Sequence, residues 1–126
     1  MKQFINKIAI FFLFLITITL FAFIAPIGFA YTIVRNIFKS YTYLFFICIG
    51  IDKLGNTIMA TLFNSILIKQ NGYQFGNVNE TISSVIGKNL EAGTLTFLGK
   101  SLNALLNFIQ KNHSINSIEN TITIPD

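Results

Sequence analysis

An all-α protein in three parts is what this sequence predicts: an N-terminal transmembrane helix, a long amphipathic or second membrane helix, and a small C-terminal helical hairpin. Three observations carry that reading. Residues 8–25, IAIFFLFLITITLFAFIA, hold no charge. Asp52, Asn56, Ala60 and Asn64 recur at every fourth position. Between residues 78 and 111, apolar residues return at intervals of three and four, the period of helix faces and not of strands. Composition agrees, since charged residues make up 11% of the chain, against roughly 25% in soluble domains. Ile, Phe, Asn and Lys have AT-rich codons, so part of the apolar excess belongs to the genome and fits a viral or AT-rich bacterial source.

The first element follows from length. Eighteen uncharged residues rise roughly 27 Å as a helix, close to the roughly 30 Å hydrocarbon core of a bilayer. The apolar run continues past Pro26 to Val34, so a tilted or kinked span of up to 27 residues is available. Gly28-Phe29-Ala30 offers the small residues of a signal-peptide cleavage site. Such signals use an apolar stretch of roughly 7–15 residues; the longer run here favours a retained anchor over residues 1–34. Lys2 and Lys7 before it are balanced by Arg35, Lys39 and Lys53 after it, so the positive-inside rule assigns no orientation.

The second element covers residues 35–70. Its uncharged run from Ser40 to Ile51 is only 12 residues, too short to span. Extension to Ile68 would carry Asp52 and Lys53 into lipid, at about 2.5–3.5 kcal/mol each. The stripe of Asp52, Asn56, Ala60 and Asn64, opposite Leu54, Ile58, Leu62 and Ile66, predicts instead an amphipathic helix at the interface or against a partner. Gln70-Asn71-Gly72 ends it in a turn.

The third element is the polar tail, residues 71–126. Ile82, Val85, Ile86 and Leu90 mark one helix over about 78–90. Leu98, Leu102, Leu105, Leu106 and Ile109 mark another over about 95–111. Glu91-Ala92-Gly93 joins them, and the Asn/Ser/Thr-rich end after residue 113 is expected to fray.

The most distinctive stretch is FGNVNETISSVIGKN, residues 75–89. Asn77 and Glu80 have the spacing of a capping box, with the Glu80 carboxylate returning to the Asn77 amide and Ser83 and Ser84 in the first turns. The single histidine, His113, is expected to cap the last carbonyls of the helix before it. Nucleophilic serine chemistry needs a base in reach, and no G-x-S-x-G surrounds either serine. Glu80, His113 and Glu119 match no metal-ligand spacing. The lone cysteine, Cys48, can form no internal disulfide. Nine scattered cations, giving a net charge of +4, lack the aromatic-basic interleaving of nucleic-acid grooves. No catalytic, cofactor-binding or metal-ligating residue is therefore assigned, and no cofactor, nucleic-acid partner or enzymatic activity is expected.

YLFFICIGIDKLGNTIMA, then FGNVNETISSVIGKN, then NHSINSIE resembles a family of small uncharacterised proteins of tailed phages and prophages. Its members read as an apolar helix with D-Q-x-x-N-A, then G-x-P-D-E-T-I-S-S-R, a short helix, and H-C before an acidic residue. The likeness covers about residues 43–119. It places Asp52, Asn56, Gly76, Glu80, Thr81, Ile82, Ser83, Ser84 and His113 at marked positions. Asn79 stands for the usual Asp, Val85 for Arg and Ser114 for Cys. The resemblance implies a viral origin, a helical fold and a motif of unknown role kept for structure or partner binding. The expected protein is thus a phage-encoded accessory protein anchored in the host cell membrane, docking on another phage or host protein. A holin-like lysis protein, acting by homo-oligomerisation, is the alternative.

Overall fold

The computed structural model describes residues 2–36 and 41–118. Lys39, Glu119 and most of the expected frayed end lie outside them. The described residues form six helices and no strand: α1 Lys2–Asn36, α2 Tyr41–Ile58, α3 Ala60–Ile66, α4 Ile82–Glu91, α5 Phe97–Ile109 and α6 His113–Asn116. One isolated antiparallel bridge joins Ile68 to Leu95. The predicted all-α class is what the chain adopts.

Contacts divide the chain into two units, Met1–Tyr43 and Leu44–Asp126. The first is essentially α1, whose 35 residues run through Pro26 without a break. Gln3–Asn36 is long and apolar enough to cross a membrane, and its place near the N-terminus is also that of a signal sequence. Two of its hydroxyls are absorbed locally. The Thr19 hydroxyl donates to the Leu15 carbonyl at 2.8 Å and that of Thr32 to Gly28 at 2.6 Å. Such bonding to the preceding turn suits a helix with no water beside it.

The second unit begins inside α2, so the composition change near residues 69–76 lies within it. The single amphipathic helix expected over 35–70 is instead a bent pair, with α2 and α3 meeting at 75° around Met59. After the turn at 69–72, the chain runs against α2–α3 through a bend at Phe75 and a turn at 78–79 and enters α4. The core is small: Leu67, Ile68, Phe75, Val85, Ile86 and Leu95, with Ala60, Phe63, Ile82, Leu90 and Leu102 around it. Phe63 and Phe75 meet edge to face at 5.3 Å between centroids. Buried polar residues outnumber the six buried apolar ones: Asn56, Glu80, Thr81, Ser83, Ser84, Asn89, Thr94, Asn103 and Ser114. Hydrogen bonding must therefore define much of this unit.

The expected hairpin of α4 and α5 forms around a turn in which Gly93 takes φ +67°, but α4 packs chiefly on α6. Gly87 permits that contact. A Cβ there would lie 2.2 Å from the Ser114 carbonyl oxygen, inside any allowed separation.

Candidate functional site

Asp52, Asn56 and Asn64 project from α2–α3 onto the stretch between residues 75 and 83. The Asn64 amide accepts from the Phe75 amide at 2.7 Å and donates to its carbonyl at 3.1 Å. Asn56, fully buried, accepts from Gly76 N at 3.0 Å and donates to the carbonyls of Asn77 and Glu80 at 3.1 and 2.7 Å. Gly76 has φ +122°, a region L side chains avoid, and this backbone turn presents its N–H to Asn56. Asp52 Oδ1 accepts from Ile82 N at 3.0 Å, and Oδ2 accepts from the Ser83 hydroxyl at 3.0 Å. The four-residue stripe is thus a clamp, with Ala60 filling its third place 3.2 Å from where a Gly76 side chain would start.

The capping box expected at Asn77 and Glu80 does not form. Helix α4 starts at Ile82, four residues later than Val78, and its N-cap is Thr81, whose side chain accepts from Ser84 N at 3.1 Å. Asn77 instead closes a local turn, its side-chain oxygen accepting from Asn79 N at 3.0 Å. Glu80 is 2% exposed, and its carboxylate is divided among three partners. Oε1 accepts from the Ser84 hydroxyl at 2.6 Å and from the Lys88 ammonium at 2.6 Å; Oε2 accepts from the Tyr73 hydroxyl at 2.8 Å. Ser84 and Lys88, one turn apart on α4, reach Glu80 just before the helix begins, and Tyr73 reaches it from the preceding loop. A buried carboxylate needs this many donors to offset its lost hydration.

Lys88 also lies 4.3 Å from the Tyr73 ring centroid. Burial pulls its ammonium down, but the hydrogen bonds and charges of Glu80 and Tyr73 together outweigh burial and leave it above its ordinary range. Behind it, Asn89 uses its full bonding capacity. Its oxygen accepts from Tyr73 N and the Thr94 hydroxyl at 2.8 and 2.6 Å. Its nitrogen donates to the carbonyls of Tyr73 and Val85 at 2.8 and 2.9 Å.

His113 does not cap α5. It opens α6, and its side chain turns to α4, with Nε2 3.2 Å from Ser83 Oγ and Nδ1 2.9 Å from Gln110 Oε1. The Ser83 hydroxyl gives its proton to the Asp52 carboxylate, and its oxygen also meets His113 Nε2. The order Asp–Ser–His places the serine between the other two. In a nucleophilic triad the histidine stands between, where it can take the serine proton. Ser83, with Asp52 and His113 at its oxygen and only 5% of its surface exposed, is a junction of three elements.

All seven residues singled out in the sequence, Asp52, Asn56, Glu80, Thr81, Ser83, Ser84 and His113, enter this connected set. So do Gly76 and Ile82, through their backbone amides. Tyr73, Lys88, Asn89 and Thr94 were missed. For Lys88 a signal exists in its two-turn spacing from Glu80; the other three carry none among so many polar neighbours. Among the described residues, no three His, Cys, Asp or Glu side chains gather where a metal ion could be held. No family model, no curated protein and no solved structure matches the chain.

Proposed function

We propose that this is a phage-encoded, membrane-anchored accessory protein whose second unit docks on another protein. The viral origin rests on the motif resemblance, and α1 supplies the anchor. The observation that carries docking is the inversion of α2 and α3. Their polar stripe is spent on the unit's own backbone, while Leu54, Ile58, Leu62 and Ile66 face outward, Ile58 with 72% of its surface exposed. A soluble helix buries the opposite face. An apolar row with no cover within its own unit is a surface that another molecule completes. The Asp–Ser–His order supports a latch with no enzymatic activity.

A photo-crosslinking residue at Ile58 in the full-length protein, expressed with the neighbouring phage genes, tests the reading. A discrete adduct with one protein, absent when the label is moved to Glu91, is expected. Labelling of lipid alone would refute protein docking at this row.

One observation favours a second reading. If the bent pair α2–α3 is a single broken span, the chain carries two membrane segments, and a basic protein with two spans suits a holin. Abrupt, timed loss of membrane potential on induction in a bacterial host would select that reading; intact potential would select docking.

A further inference from the structure

Helix α5 is turned the wrong way for a soluble protein. Phe97, Leu98, Leu105, Phe108 and Ile109 share an arc of about 120° at 100° per residue, and all five are exposed, Phe97 by 82% and Phe108 by 88%. The inward face holds Gly99, Asn103 and Asn107 beside Leu102. The side-chain oxygens of both asparagines are buried without a hydrogen-bond partner, a costly arrangement. Gly99 sets this rotation, because a Cβ there would lie 2.2 Å from the Leu67 carbonyl oxygen. The amide of Thr96, the N-cap, donates to that same carbonyl at 2.9 Å.

We propose that the occupant of this face is an anionic lipid surface, into which α5 lies as an in-plane helix. Two observations choose lipid. Lys100 borders the apolar arc on α5, Lys111 is exposed in the turn just after the helix, and residues 97–118 contain no Asp or Glu, so this end of the unit presents cations to headgroups while its phenylalanines reach the acyl boundary. The unit, which begins at Leu44, is also continuous in sequence with α1, which ends at Asn36. Being on one chain with α1, α5 meets any bilayer that α1 enters at a raised effective concentration. The inference rests on the anchor reading of α1 for the tether alone, and it assigns lipid to α5 while the protein partner takes α2–α3.

The test is spin-label depth measurement on the full chain in phosphatidylglycerol-containing vesicles, with Cys48→Ser as background. Single labels replace Phe108, Leu105, Ser101 and, as an anchor control, Ile16. Phe108 and Leu105 labels accessible to oxygen and shielded from a water-soluble nickel chelate, with Lys100→Glu/Lys111→Glu shifting the Phe108 label at least twofold toward the chelate, are expected. Chelate accessibility at Phe108 in the parent protein, with Ile16 still deep, would overturn the lipid face and spare the anchor. A water-exposed Ile16 would remove the anchor instead. Shielding of Phe108 from both reagents, with spin-spin broadening between copies, would overturn lipid in favour of a second copy.

Discussion

Glu80→Gln keeps the shape of the side chain and removes its charge, leaving Lys88 half-enclosed beside a neutral amide. With side chains 3% and 17% exposed, neither partner can recover water. The expected loss is about 3 kcal/mol, read as a thermal midpoint in detergent micelles. A capping glutamate would lose only a few tenths. Lys88 adds a pH dependence. Its folded-state pKa is raised above 10.5, so its stabilising contribution is fully present below that value and disappears as pH rises through the folded pKa. The parent protein should therefore lose stability relative to Lys88→Met as pH rises above 10.5 and through the raised Lys88 pKa. Parallel curves for the two proteins would show that the ion pair adds nothing.

At the scale of elements, the clamp makes a prediction opposite to that for an ordinary amphipathic helix. Asn56→Ala strands Gly76 N and the Glu80 carbonyl and should cost about 2–3 kcal/mol, whereas Leu62→Ala, on the exposed row, should cost under about 0.5 kcal/mol in micelles. The reverse ranking would mean that the stripe faces outward. Gly87→Ala should cost about 1–3 kcal/mol and release α6 from α4, seen as faster amide exchange at residues 114–117. Much of this level was legible from spacing. The stripe, the turn at 69–72 and both tail helices are where the periodicities put them. The start of α4 was not, because Asn77-x-x-Glu80 and Thr81-x-x-Ser84 are both cap-shaped frames four residues apart. The choice is tertiary: Asn56 holds the carbonyls of Asn77 and Glu80, and Lys88 draws the Glu80 side chain away from the Asn77 amide. His113 was misjudged for a like reason, since its contact lies 30 residues away in sequence.

For the whole molecule, the chain combines one long apolar helix with a unit that keeps its polar groups inside and many of its large apolar side chains outside. Such a unit gains little by standing in water: the six-residue core is small beside the conformational entropy of ordering about 75 residues. A bilayer at one face and a protein at another would supply the missing burial. Everything in that account depends on α1 being retained in a membrane. Alkaline carbonate extraction of membranes carrying the full-length protein, followed by N-terminal sequencing of the recovered chain, tests it most directly. The account predicts that the protein stays in the pellet with residues 8–30 still attached; release into the supernatant, or a mature chain beginning near Tyr31, would contradict it.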